Sequence, residues 1–209
     1  METKIIYECK SYVVVYKPAG HLSEENENSP SCPADIREYF AEKWGAVVPY
    51  TVHRLDRNTD GLMVYALTKK AAADFSKMIT DGGFSKEYKA LVTPADDLPE
   101  SGEMRDYLYF DRKRDKSFVV GGERNGAKEA VLTYRLGETL EIKGQTVRVA
   151  YIQLKTGRTH QIRVQFASRR SPLCGDGKYG SRLNYKGVSL TSYKLSFEWG
   201  GERVEYTLD

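Results

Sequence analysis

The stretch from Val52 to Ala66, V-H-R-L-D-R-N-T-D-G-L-M-V-Y-A, constrains this chain more than any other. Its first half crowds His53, Arg54, Asp56, Arg57 and Asp60 together, and from Leu62 it becomes an almost unbroken apolar run. An apolar run of this length reads as a strand buried on both faces. Such a strand, anchored by Gly61, holds the preceding loop rigidly, and rigid placement is what a charged reacting group requires. Asp56 is the candidate for that group.

The 209 residues suffice for one well-filled core, and a single domain over residues 1–209 is expected. A net charge of +3 is too small to establish a nucleic-acid partner, so charge has to be judged locally. No run of about 18 apolar residues offers a membrane span. The opening Met1-Glu-Thr-Lys lacks the basic start and apolar core of a signal peptide, which makes a cytoplasmic location the default expectation. Cys9, Cys32 and Cys174 are widely spaced and have no C-x-x-C pattern, so reduced, packed thiols are expected rather than a disulfide frame or a zinc site.

Alternating residues predict strands at Lys4 to Cys9, Ser11 to Tyr16, Lys86 to Val92, Glu129 to Leu136, Thr146 to Leu154, Val188 to Trp199 and Glu202 to Leu208. Helical spacing marks Ala34 to Trp44 and Lys69 to Thr80, the second carrying Ala71, Phe75, Met78 and Ile79 on its apolar side and Gly82-Gly83 at its end. Strands outnumber helices and no β-α alternation repeats, which predicts an α+β fold with a mainly antiparallel mixed sheet flanked by helices. Tyr88, alternating with Glu87 and Lys89, should face inward. From Met104 to Ser117, Arg105, Arg112, Lys113, Arg114 and Lys116 interleave with Tyr107, Tyr109 and Phe110. That mixture suits an RNA backbone and equally suits a solvated hairpin.

A second charged cluster runs from Lys155 to Ala167. Thr159 is placed to cap a helix that continues through Ile162, Phe166 and Ala167, with Gln161 and Gln165 on its wet side. At 100° per residue Arg163 then falls between Phe166 and Ala167, facing the core. A guanidinium stays charged at any ordinary pH, so burial costs several kcal/mol unless a carboxylate meets it. Asp56 is the attractive partner, and the pair serves equally as structural cohesion or as the means of holding a reacting carboxylate ionised.

The motif His53-Arg-Leu-Asp-Arg-Asn-Thr-Asp-Gly-Leu resembles the H-R-L-D-x-x-T-S-G-L core of the RluA-type RNA pseudouridine synthases. Lys17-Pro-Ala-Gly resembles that family's K-P-x-G segment, and Lys86-Glu-Tyr-Lys-Ala its tyrosine strand. Gly157-Arg-Thr-His-Gln-Ile-Arg-Val resembles its arginine motif, and Gly175-Asp-Gly-Lys-Tyr-Gly its G-D-x-x-Y-G turn. The resemblance implies the pseudouridine synthase catalytic fold and isomerisation of uridine within rRNA or tRNA. Asp56 would be the catalytic aspartate, Tyr88 the tyrosine that stacks on the target base, and Arg163 the basic partner of the aspartate. Arg54 would fill the space left by the flipped uridine, an extrusion that costs a few kcal/mol. Substrate contacts would extend to His53, Leu55, Arg158, His160 and Ile162. The implied reaction requires no cofactor and no metal, and the implied partner is RNA, bound by a monomer away from any membrane.

Two other classes compete with this reading. A non-catalytic RNA-binding module would share the fold without the reaction. A metal-dependent hydrolase would use His53, Asp56 and His160, although Arg163 would oppose a cation there. On its own His160 reads as a core or capping histidine. The chain departs from the family pattern at Asp60, where a serine is usual, and at Ser192-Tyr193, where many relatives have histidine and alanine. Only about a dozen residues precede the strand ending at Lys17, too few for the S4 domain that many relatives carry, so RNA contact is expected from the catalytic domain and its loops.

Overall fold

The computed structural model describes residues 2–123 and 126–208. The chain forms two compact units, Met1–Lys86 with Thr191–Asp209, and Glu87–Leu190. The boundaries fall inside two strands, β5 (Phe84–Val92) and β10 (Leu190–Trp199).

In the first unit β1 (Lys4–Glu8), β2 (Tyr12–Lys17), β4 (Asp60–Ala66) and β10 lie side by side in that order. The short β3 (Tyr50–Thr51) pairs with β4, and β11 (Glu202–Thr207) pairs with β10. β4 lies between β2 and β10, and Leu62 to Ala66 are fully buried, as the apolar run requires. It runs antiparallel to β2 but parallel to β10, with Asp60 opposite Thr191 and Gly61 opposite Ser192. The other pairings described in this unit are antiparallel, so its sheet is mixed.

Helix α2 (Lys69–Thr80) begins where Thr68 accepts a hydrogen bond from the Ala71 N–H at 3.1 Å. It ends where Gly82 takes a φ of +77° and the Gly83 N–H reaches the Met78 carbonyl at 2.8 Å. Its Ala71 and Phe75 enter a core with Tyr12, Leu62, Val64, Phe84 and Phe197, and Met78 and Ile79 pack at the margin. Helix α1 (Cys32–Trp44) starts two residues before the expected Ala34, because Pro33 sits in its first turn, where a missing N–H costs nothing. All three cysteines are free thiols, with Cys32 and Cys174 buried.

The second unit is a sheet in the order β5, β9 (Gln145–Leu154), β8 (Ala127–Ile142), β6 (Ser101–Asp111) and β7 (Lys116–Val120). β8 outruns the expected Leu136 because the ladder slips between Leu136 and Thr139 and then resumes with Thr139 opposite Arg148. Such a bulge breaks apolar periodicity without ending the strand. The basic and aromatic segment forms the β6–β7 hairpin, whose turn is tied by Asp111 Oδ1 accepting from the N–H groups of Lys113 and Arg114 at 2.9 and 3.2 Å. Arg112, Lys113 and Arg114 are exposed at its tip.

Helix α3 (Gln161–Ser168) corrects two expectations. Thr159 does not cap it. The N-cap is His160 in the left-handed conformation at φ 55°, and the Thr159 carbonyl instead accepts from Ser117 Oγ at 2.6 Å. Nor are Gln161 and Gln165 on a wet face, since both are buried. Gln165 Nε2 donates to Asp106 at 2.7 Å and to the carbonyls of Met104 and Ala130 at 3.3 Å, while Gln161 Oε1 accepts from Thr156 Oγ1 at 2.8 Å and the Arg158 N–H at 3.0 Å. The helix is buried from Gln161 to Phe166, so its amides face strand and loop groups rather than water, and period alone misassigned them.

Candidate active site

Asp56 lies in the loop that feeds β4, and its neighbours are pinned on both sides. On the N-terminal side the Ser23 hydroxyl grips Leu55 through its backbone, accepting from the N–H at 3.0 Å and donating to the carbonyl at 2.9 Å. On the C-terminal side the Arg57 carbonyl accepts from the Gly20 N–H at 2.7 Å and from Lys17 Nζ at 3.2 Å. The Asp56 carbonyl itself closes a turn with the Thr59 N–H at 3.0 Å. Leu55 and Thr59 are buried, whereas Asp56 is half-buried. The backbone is thus clamped on both sides of this half-buried residue.

Gly61 joins this loop to the strand at φ +115°, a conformation costly for other residues. A Cβ there would lie 2.6 Å from the Ser192 backbone nitrogen, so close approach of β10 also demands glycine. His53 is buried, and its Nε2 accepts from the Val64 N–H at 3.0 Å, which requires the neutral ring. Burial, assisted by the charge of Lys86, pulls its pKa down to about 3. Lys17 is wholly buried and also donates to the Pro18 carbonyl at 3.1 Å. Burial lowers its pKa to about 8, opposed by Cys32, Asp60 and Asp56. Asp60, the residue that departs from the usual serine, is held by the Tyr16 hydroxyl, which donates to Oδ2 at 3.0 Å. Arg54 projects outward, with Nη1 3.4 Å from Glu24.

In the second unit, Tyr88 is buried on β5 opposite Ile152 of β9, as alternation predicted. Arg163 is buried on α3, as its helical angle predicted, and Asp176 supplies a carboxylate for it. The contact is bidentate, Nε to Oδ2 at 2.6 Å and Nη2 to Oδ1 at 2.9 Å. Sequence reasoning considered Asp56 alone for that task and missed Asp176, although the G-D-G-K-Y-G turn put an aspartate in plain view. His160 is buried with Nδ1 2.9 Å from the Tyr179 hydroxyl, which fits the core histidine reading. Ile162 is buried, and half-buried Arg158 donates through Nε to the Glu129 carbonyl at 2.8 Å. His53, Arg54, Leu55 and Asp56 therefore share one loop of the first unit, and Arg158, His160, Ile162 and Arg163 share one segment of the second. Ser23, which clamps Leu55, carried no signal in the sequence. Among the described residues, no cluster of three or more His, Cys, Asp or Glu is arranged to hold a metal ion. No helix among them is long and apolar enough to cross a membrane.

Residues 11–168 match the family model described as RNA pseudouridylate synthase, and the chain belongs to that family, in its RluA-type branch. It is 33% identical over 190 residues to ribosomal large subunit pseudouridine synthase D of Xanthomonas campestris, covering 90% of this chain and 55% of that one. It is 30% identical over 196 residues to tRNA pseudouridine synthase C of Vibrio parahaemolyticus, covering 89% and 77% respectively. The chain thus spans about half the length of the first relative and three quarters of the second. The fold is also that of human RNA Pseudouridylate Synthase Domain Containing 1, with a TM-score of 0.81 at 19% identity over 100% of this chain and 83% of that one.

Proposed function

We propose that residues 1–209 act as a single catalytic domain that isomerises uridine to pseudouridine in structured RNA, with Asp56 as the catalytic carboxylate. The observation that carries this reading is the double clamp on the backbone around Asp56, from Ser23 on one side and from Lys17 and Gly20 on the other. A group that must meet one atom of a flipped nucleotide gains most from such fixed placement. Relatives named for rRNA and for tRNA support RNA as the substrate class, with rRNA, tRNA or both as targets.

In this reading Tyr88 stacks on the target base and Arg163 supplies the positive charge that the reaction uses. Exposed Arg54 takes the space the uridine leaves, its planar cation replacing part of the lost stacking. His53 and Leu55 shape the loop, and Arg158, His160 and Ile162 shape the arginine segment. The N1 to C1′ bond breaks, C5 bonds to C1′, and the proton on C5 is lost as N1 gains one. Electrons balance without an oxidant, reductant or group donor, so the reaction calls for no cofactor, and the enzyme works as a cytoplasmic monomer.

Loss of the C5 proton supplies the test. RNA carrying tritium at C5 of uridine should release it to water with the wild-type protein. Asp56→Asn, which keeps shape but loses charge and basicity, should lower that release by about 100-fold or more. RNA binding without release by the wild type would instead favour a non-catalytic RNA-binding module.

A further inference from the structure

The family reading leaves the G-D-G-K-Y-G turn without a task, yet that turn supplies two side chains that contact Arg163. Asp176 takes the guanidinium along one edge through Nε and Nη2. The ring of Tyr179 covers a face, with Arg163 Cζ 5.0 Å from the ring centroid. An edge held by two parallel hydrogen bonds and a face held by an aromatic ring together fix both the plane and the direction of the group.

These two holders are themselves held. The Asp176 carbonyl accepts from the N–H groups of Tyr179 and Ser181, each at 3.0 Å. Gly175, at φ +78°, lets the chain pass so close to Gly187 that a Cβ would lie 2.8 Å from its carbonyl carbon. The Tyr179 hydroxyl accepts from the Ser117 N–H at 2.8 Å and lies 2.9 Å from His160 Nδ1. Lys178 Nζ, between them in the turn, donates to the Asp115 carbonyl at 2.8 Å and its carboxylate at 2.6 Å. The turn is therefore stitched to the β6–β7 hairpin and to the residue that starts α3, so Arg163 is aimed by a frame rather than by its own rotamer.

We infer that Asp176 and Tyr179 are positioning residues for the reaction: they set the plane in which Arg163 presents its charge, and they act through Arg163 without touching the substrate. The inference rests on the assignment of Arg163 proposed above. A merely structural turn would contribute stability alone, whereas a positioning turn contributes to kcat in folded protein.

The test uses the whole chain, the tritium-release assay and urea unfolding, so that rates are compared per folded molecule. Tyr179→Leu removes the ring and leaves the Asp176 ion pair. It should lower kcat about tenfold or more while KM for RNA stays within about threefold, whereas Tyr179→Phe, which keeps the ring but loses its ties to Ser117 and His160, should fall between the wild type and Tyr179→Leu in kcat. Asp176→Asn strips a buried charge pair and is expected to be poorly folded. Asp176→Glu, which restores the carboxylate, should recover folding and part of the lost kcat. A folded Tyr179→Leu protein at wild-type kcat would overturn the positioning role while the proposed function stands. Wild-type activity that survives Arg163→Leu would overturn the role of Arg163, and the inference with it. A wild-type protein that releases no tritium would overturn the proposed function itself.

Discussion

At the scale of single residues, the burial of His53 has a consequence for pH. Its ring stays neutral in the fold down to about pH 3, while in the unfolded chain it takes a proton below about 6.5. Between those values the unfolded state binds more protons, so stability falls as pH falls through that window. At about 1.4 kcal/mol per pH unit, acidification from 6.5 to 4.5 should cost on the order of 2–3 kcal/mol through this group. His53→Gln keeps an acceptor for the Val64 N–H but cannot titrate, so its stability should decline less steeply over that interval. Parallel slopes in urea titrations of the two proteins would show that His53 is not the source. Gly61 invites a second substitution. Gly61→Ala would place a methyl against the Ser192 backbone at a φ of +115°, and should destabilise the protein by about 3 kcal/mol or more. Unchanged stability would mean that β10 yields easily there. The inward turns of Tyr88 and Arg163 were legible at this scale, because alternation and helical angle act locally. Asp176 was not read as a partner of Arg163, since it lies 13 positions further along the chain, beyond a left-handed glycine.

At the scale of elements, α2 was readable from end to end because its cap, apolar stripe and terminal glycines agree. α3 was readable only in part. With both glutamines and Arg163 buried, its sequence carries little amphipathic contrast, and the signal that remained was the spacing of Ile162, Phe166 and Ala167. Its docking rests on Gln165, which joins β6 and β8 through the Met104 and Ala130 carbonyls and Asp106. Gln165→Leu keeps the volume but removes the donor that the Met104 and Ala130 carbonyls share, while Asp106 keeps Arg169, and should cost about 1–3 kcal/mol. Chemical denaturation should show a lowered midpoint with an unchanged slope. A midpoint equal to that of the wild type would mean that the amide is dispensable. The β6–β7 hairpin illustrates the opposite limit of sequence reading. Its residue types allowed either RNA contact or a solvated turn, and the structure places Arg112, Lys113 and Arg114 in solvent.

At the scale of the whole molecule, the mainly antiparallel mixed sheet was legible from the surplus of strands over helices. The parallel pairing of β10 with β4 was not, because it joins positions more than a hundred residues apart through two residue pairs. Membership of the RNA pseudouridylate synthase family was legible from five motifs in order, and residues 11–168 contain the first four of them. The RNA target belongs to this scale too, since relatives of similar identity are named for different RNAs. The central claim is that Asp56, clamped before β4, performs the isomerisation. The most direct measurement is site-resolved pseudouridine mapping of rRNA and tRNA incubated with the wild-type protein and with Asp56→Asn. Pseudouridine is expected at defined uridines with the wild type and none above background with the variant. Equal modification by the two proteins would contradict that claim.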